Sequence, residues 1–429
     1  MKPSLALVAP VAALAGMLCL LPTAGAGEAT QAAPGASVDS LLEVARARNP
    51  EFAALRHEAQ AFAERVLPAS ALPDPTLRAE LQDVTNRGAD ANPNLLPARV
   101  GATKYTLIQA LPAWGSRDLQ RDIAGAEADQ ARGQARASWA ELAARIKAAY
   151  AGYYQAGRAI ALTREILDIA ATIERTARAR HAAGLAPQQD ALRAQTEITG
   201  LRGELIVLET ERHHLHARLN TLLGRAPGET LAEPMQPRPL PVSVRLDHAA
   251  LETRLENNSP QLAVEQARIV AAEKGRALIE KNRYPSVSLG ISPIQMGSRI
   301  REWELMVEMN IPLQQESRRA EERAGAARLD AAHARQAAVQ DRLRGELAEQ
   351  LAALDGARRL GLLAEQSLLP QAEIGFKTAL AGYEHGRLDF AALLDAQRLL
   401  RKARLDGLKA QTEAQLRLAD IERMLGEEL

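Results

Sequence analysis

The sequence predicts a mainly α protein carrying a membrane β-barrel. Four strands per chain, pooled from three copies, make a twelve-stranded barrel continued by a long α-helical barrel, on a plan duplicated within the chain. Three observations predict it. There is a secretory-type leader, an internal repeat with a period of roughly 200 residues, and, in each repeat, short alternating runs of the length a tilted strand needs to cross a bilayer.

Composition narrows the classes before any element is placed. The chain has 429 residues, 47% hydrophobic but only 3% aromatic, so alanine and leucine rather than large rings must fill its interior. Lysine plus arginine, 53, equal aspartate plus glutamate, 53, which leaves no global basic field for nucleic acid. The one cysteine, Cys19, excludes a disulfide framework, a cysteine-built zinc or iron–sulfur site and thiol redox chemistry.

Residues 1–26 read as a signal peptide. Met1 and Lys2 precede an apolar stretch over 5–21, Pro22 breaks it, and Ala24-Gly25-Ala26 has the small-residue pattern of a cleavage site. A membrane anchor is the lesser alternative, because the stretch is short. Lipidation of Cys19 is the other, and Leu18 opposes it where a lipobox has a small residue.

Asn49-Pro50-Glu51 answers Ser259-Pro260-Gln261, and Pro75 answers Pro285, both at an offset of 210. Leu111-Pro112 answers Ile311-Pro312 at 200, and Gly184 with Leu192 and Gln195 answers Gly386 with Leu394 and Gln397 at 202. The first repeat therefore takes residues 27–223 and the second 246–429. Pro227, Pro234, Pro237, Pro239 and Pro241 make 224–245 an extended linker. Each repeat reads as a moderate helix (about 38–67, then 246–282), two strand runs, and a very long helix (about 116–183, then 317–381). A glycine-marked turn and a final helix follow (about 188–223, then 389–425). At ~1.5 Å per residue the long helices approach ~100 Å, so they are coiled-coil rods that need partners of equal length.

Residues 286–292 and 302–311 alternate strictly between polar and apolar side chains, and 76–82 repeats the pattern, whereas 100–111 is ambiguous. Tyr105, Trp114, Tyr284 and Trp303 fall at or near strand ends, where membrane barrels keep aromatic girdles. One such hairpin alone would read as soluble; two at matching positions of a duplicated, secreted helical chain read as membrane strands. Four strands cannot close a barrel, and an open edge in lipid leaves backbone groups unsatisfied. The residues thus require oligomerisation, and three copies satisfy it. In 302–311 the apolar set Trp303, Leu305, Val307, Met309 and Ile311 faces lipid, which sends Glu302, Glu304 and Glu308 into the lumen, with Glu80 joining them from 76–82. Against these stand Arg78 and Lys104, leaving about two excess negative charges per chain and a preference for cations.

Taken together, Leu72-Pro73-Asp74-Pro75, Gln109-Ala110-Leu111-Pro112-Ala113-Trp114-Gly115-Ser116-Arg117, Met309-Asn310-Ile311-Pro312-Leu313 and Tyr383-Glu384-His385-Gly386 with Leu393-Leu394-Asp395-Ala396-Gln397 resemble the TolC family of outer-membrane efflux proteins. The resemblance spans essentially all of the mature chain. It implies a homotrimeric duct in outer-membrane lipid, open at the cell surface and gated at its periplasmic tip. Such a duct docks on a periplasmic adaptor, the membrane fusion protein, and an RND-type inner-membrane pump. Its tip would be formed by the turns containing Gly184 and Leu185, and Gly386 and Arg387. The tyrosine that helps hold the tip closed would be Tyr383, and acidic positions near the constriction would fall on Asp190 and Asp395. Two departures bear on gating: Ala392 replaces a second acid, and Leu388 occupies an often basic site. Asp190 also reads as an acid at a helix start, and Tyr383 as a packing residue at a helix end. The length and the Leu-Pro-x-x-Gly-x-Arg entry resemble the heavy-metal branch, so metal cations are the expected cargo, with drugs or secreted proteins as alternatives.

His213, His214 and His216 form a cluster, but its spacing suits a solvated helix face better than a metal site. Met296, Met306 and Met309 near the second hairpin suggest a thioether relay only weakly, since Met296 falls in the turn and Met309 on the apolar face. With no phosphate loop, H-E-x-x-H or G-x-S-x-G, the chain reads as neither an enzyme nor a holder of a cofactor or metal. The rival reading is a periplasmic coiled-coil adaptor or scaffold, which shares the leader and the long helices.

Overall fold

A computed structural model describes residues 34–84, 95–97, 99–234 and 236–429. The signal peptide 1–26, including Cys19, lies outside the described residues. Ten α-helices and four strands run, among these, in two similar series. The first comprises α1 (Val38–Arg48), α2 (Pro50–Glu64), α3 (Val66–Ala69), β1 (Thr76–Gln82), β2 (Ala102–Leu111), α4 (Ser116–Ala182) and α5 (Gln188–Leu222). The second comprises α6 (His248–Asn258), α7 (Pro260–Lys281), β3 (Val287–Met296), β4 (Arg299–Met309), α8 (Gln315–Leu363), α9 (Leu369–Glu384) and α10 (Phe390–Leu425).

Three expected helices are interrupted, each before a proline. The moderate helix of each repeat divides at Asn49 and at Ser259, both in extended backbone, with Pro50 and Pro260 opening the next helix where no backbone N–H is needed. Asn49 caps α2 by accepting from the Phe52 N–H at 2.9 Å, and its Nδ2 donates to the Leu222 carbonyl at 2.9 Å, tying the break to the end of α5. The second long helix is likewise not continuous. A π-turn over Ala364–Leu368 separates α8 from α9 just before Pro370, which lacks the donor an α-helical ladder would require. The first long helix, α4, runs unbroken for 67 residues.

The strands form one antiparallel sheet in the order β1-β2-β3-β4, so β2 pairs with β3 across the two repeats. The ambiguous run at 100–111 is therefore a central strand, and both strands of the second hairpin extend to a turn at Gly297. Met296 ends β3 rather than sitting in that turn.

The helices repeat the order of the strands. Next to the sheet they lie α2-α4-α7-α8, and further away α5-α4-α10 with α8 and α9 beyond. Each strand joins, directly or through a short connection, the helix at the same place in the arc, and the edges of sheet and helical layer fall on the same two sides.

Alanine packing makes these rods close. The buried face of α4 is mostly alanine, and Gly133 lies where a Cβ would come within 2.9 Å of Val264 Cγ2 on α7. Leu41, Ile146 and Leu219 centre a core between α1, α4 and α5; Leu251, Leu347 and Ile421 centre its counterpart between α6, α8 and α10. A third core joins the repeats away from the sheet, around Ile173, Ala194, Phe376 and Leu393. The segment between repeats is pinned to this frame by a buried ionic cluster. Lys147 of α4 meets Glu422 of α10 and Glu428 at 2.8 Å each, and Arg238 donates to both oxygens of Glu422. Although burial raises the Glu422 carboxyl, its bonds from Arg238 and Lys147 hold it below the ordinary value.

Candidate functional site

The sheet has two unlike faces. Register pairs Glu80 with Lys104, Lys104 with Ile294, Ile294 with Glu302, Ser292 with Glu304 and Ser288 with Glu308, so all four acids expected in the lumen share one face with Arg78. At the centre of that face Gly290, Thr106 and Ser292 sit beside the buried Ile108 and Ile294, and Ser292 Oγ donates to Thr106 Oγ1 at 2.9 Å with both residues buried. Lys104 reaches across β3 to Glu304 at 2.6 Å, and Arg78 stands 3.7 Å from Glu80. Glu302 and Glu308 have no ion-pair partner among the described residues. Met306 shares this face, its methyl 2.9 Å from where a Cβ on Gly290 would lie. On the opposite face Leu77, Leu107, Leu289, Ile291, Trp303, Leu305, Val307 and Met309 are exposed, Leu305 to 84%. Exposed Trp114, Tyr284, Ile311 and Leu313 continue this apolar surface around the junction of strands and helices. Such a surface is stable only against lipid or another apolar body. Among the described residues no helix is long and apolar enough to cross a membrane.

The other end of the molecule carries two similar turns. Gly184 and Gly386 both adopt left-handed backbone, φ 72° and 69°, where a side chain is strained. After each, an N–H returns to the end of the preceding helix: Leu185 to the Arg180 carbonyl and Arg387 to the Gly382 carbonyl, both at 2.8 Å. Leu185 and Arg387 are exposed. Leu388 folds back so closely that a Cβ on Gly382 would meet its Cδ1 at 2.6 Å, which explains an apolar residue at this position.

Between the turns, Tyr383 of α9 donates through its hydroxyl to Asp190 Oδ2 at 3.3 Å, with both residues buried. Burial first, then the charge of Asp190, pushes the phenol up to about 12, against the opposing pull of Arg180. Phe390 packs edge-on against the ring at 5.5 Å. Asp395 does not join this pair. It is exposed on α10, in a groove shared with Leu192 and Arg193 of α5.

Sequence reasoning missed Arg180. Its guanidinium lies over the Tyr383 ring at 5.0 Å and its Nη1 donates to the Glu384 carbonyl at 2.7 Å, bridging the two turns. The available signal was a basic residue four before the turn glycine. The histidine cluster gathers no ligands: His216 lies beside Tyr153, and among the described residues no group of three or more His, Cys, Asp or Glu could hold a metal ion.

A sheet with one exposed apolar face and one face that carries the acids, continued strand by strand into a helical layer with free edges, defines a building block of a membrane duct. The family model "Outer membrane efflux protein" matches residues 41–225 and 251–427, and the chain belongs to that family. It is 26% identical over 411 residues to the cobalt-zinc-cadmium resistance protein CzcC of Cupriavidus metallidurans, covering 92% of this chain and 91% of that one. Among solved structures, a membrane protein from Pseudomonas aeruginosa superposes with a TM-score of 0.77 at 22% identity, covering 92% of this chain and 91% of its own. The outer membrane protein VceC of Vibrio cholerae gives 0.75 at 17%, covering 91% and 96%. The chain is thus an outer-membrane efflux channel, a passive duct rather than an enzyme, with its helical part in the periplasm. The adaptor reading is set aside.

Proposed function

We propose that three copies close into one duct that exports metal cations from periplasm to exterior, gated at its periplasmic end. The observation that carries this is the coincidence of edges: β1, α2 and α5 end one side of the arc, and β4, α8 and α9 end the other. Pairing β4 of one copy with β1 of the next satisfies every strand edge and places the exposed Leu360, Leu363 and Ile374 of α8 and α9 beside the exposed Leu192, Ile206 and Val207 of α5. Three such copies give the twelve strands of the expected barrel.

Support for a metal cargo comes from the carboxylates that share one face of the sheet and from the metal-resistance relative. Asp190 and Tyr383, bonded between the repeats at the turn end, support the gate reading, with Asp395 lining the groove just above. The exposed turns at Gly184-Leu185 and Gly386-Arg387 are the surfaces offered to a periplasmic adaptor, which joins the duct to an RND-type inner-membrane pump that supplies the energy. Chemical cross-linking of the purified protein in detergent should saturate at trimer. Deleting the gene should sensitise cells to divalent metals, with rescue by the intact chain. A folded monomer, or unchanged metal tolerance with altered drug tolerance, would overturn the respective part.

A further inference from the structure

The internal duplication relates side chains at the free edges of the helical layer to side chains inside it. Asn49-Pro50 answers Ser259-Pro260 at an offset of 210, and α2 and α7 run unbroken from these prolines, so Glu64 of α2 answers Lys274 of α7. Arg117 at the start of α4 donates to the Ser70 carbonyl at the end of α3, and Arg318 at the start of α8 donates to the Asn282 carbonyl at the end of α7, an offset of 201. The offset becomes 202 at Gly184 and Gly386, beyond the π-turn, whose wider turn takes up the one extra residue. Asp122 of α4 therefore answers Arg323 of α8.

Within the chain α4 and α7 are neighbours. They share a salt bridge, Lys274 Nζ to Asp122 Oδ2 at 3.0 Å, and a close approach in which a Cβ on Gly133 would lie 2.9 Å from Val264 Cγ2. In a closed ring of copies, α8 meets α2 of the next copy as α4 meets α7. At the places of Asp122 and Lys274 then stand Arg323 and Glu64, the same pair with its charges exchanged, and at those of Gly133 and Val264 stand Ala334 and Ala54. All of these edge residues are exposed, and neither Arg323 nor Glu64 has an ion-pair partner among the described residues. Helical geometry agrees independently. At about 100° per residue, Ala54 and Glu64 lie on the side of α2 away from its buried Ala59, and Arg323 and Ala334 on the side of α8 away from Gly325, which packs on Ile279 of α7.

We propose that the seam between copies repeats the α4–α7 contact with its charges exchanged, Arg323 of one copy pairing with Glu64 of the next and Ala334 packing on Ala54. This rests on reading the duct as closed by three copies of the chain. The exchange makes the joint selective as well as attractive. Were the next copy to present α7 in place of α2, Lys274 would face Arg323; were α2 to take the place of α7 on α4, Glu64 would face Asp122. Either misjoining opposes like charges, whereas the ordered ring satisfies both pairs.

The test uses the full-length protein in detergent. Its only cysteine, Cys19, lies in the expected signal peptide, so introduced pairs report alone. Ala54→Cys with Ala334→Cys should form a disulfide between copies on oxidation, because at the matching Gly133 a Cβ would lie 3.5 Å from the Val264 Cα, near enough for a bridge. Ala54→Cys with Ala327→Cys, displaced by two turns of α8, should not. Non-reducing denaturing gels read both. Glu64→Lys should shift the trimer–monomer equilibrium about tenfold towards monomer, since an exposed pair is lost at each of the seams. Adding Arg323→Glu to it restores opposite charges and should return the equilibrium to within about twofold of the unmodified protein. Trimers that form without the bridge between positions 54 and 334 would overturn the seam and spare the three-copy reading. A double charge variant as weak as Glu64→Lys alone, or an unchanged equilibrium in Glu64→Lys, would overturn the pairing. Monomers in the unmodified protein would remove the three-copy reading and the seam with it.

Discussion

Tyr383 on α9 and Asp190 on α5 stand 193 positions apart and meet at 3.3 Å at the end of the helical rods. Replacing Tyr383 by phenylalanine keeps the ring against Phe390 but removes the donor, leaving a buried carboxylate without its bond at a cost of about 1–3 kcal/mol. On the proposal that this bond helps hold the tip closed, single-channel conductance should rise. Because the phenol is pushed up to about 12, it stays protonated under physiological conditions and the bond is not switched by mild alkalinity.

The turn glycines should be separable from the Tyr383–Asp190 bond. Gly184→Ala and Gly386→Ala each force a side chain into left-handed backbone, at about 1 kcal/mol. Gly386→Ala should be the worse, because its Cβ would come 3.2 Å from Arg180 Nη2, whereas nothing lies within 4 Å of one at Gly184. Thermal unfolding in detergent would show both losses, and equal midpoints would mean that Arg180 yields freely.

The ionic cluster at Glu422 predicts acid sensitivity. Its carboxyl is held below the ordinary value of 4.5, so the unfolded chain takes up that proton at higher pH than the folded one. The stabilisation is complete above the ordinary value and is lost as pH falls through it towards the folded value. Glu422→Leu, which takes from Arg238 its carboxylate and leaves the buried Lys147 with Glu428 alone, should cost about 3–5 kcal/mol at neutral pH. Pairing it with Lys147→Met should recover part of this. Midpoints of thermal unfolding against pH would show the wild-type decline, and the double variant should flatten it.

Local patterns carried much of the fold. Gly184 and Gly386 announce their turns because few other residues take that backbone, and the alternation from Trp303 to Met309 announces a two-faced strand. What stayed hidden is what distant contacts decide. Residues 100–111 look ambiguous because Ile108 shares the face of Lys104 and Thr106 while Thr103 and Gln109 share that of Leu107, which breaks the alternation on both faces. The π-turn was masked by the continuous helical periodicity on both sides of Pro370. At the tip, Tyr383 and Asp190 were legible through the family motif, but Arg180 owes its place to the packing of two turns some 200 residues apart. Asp395 shares a motif with this pair without sharing its bond.

The acidic face of the sheet predicts what the duct passes. Four acids, Glu80, Glu302, Glu304 and Glu308, stand against Arg78 and Lys104, and the pairing is now specific: Lys104 neutralises Glu304 at 2.6 Å and Arg78 lies near Glu80. The carboxylates left without an ion pair are Glu302, towards the hairpin turn, where the register also brings Arg299 onto this face, and Glu308, towards the helices. In a trimer these make two separate rings of carboxylates, each of which concentrates cations and repels anions. Replacing Glu302 and Glu308 together by glutamine should move the reversal potential in a salt gradient towards zero. Glu304→Gln alone should do less than either, because it frees the Lys104 ammonium as it removes a carboxylate. The contrast should fade at ionic strengths where the screening length, about 10 Å at 0.1 M, falls well below the radius of the barrel. A double variant that keeps the wild-type potential at low salt would show that these rings do not select the ion, and a cationic cargo would then lose its electrostatic support.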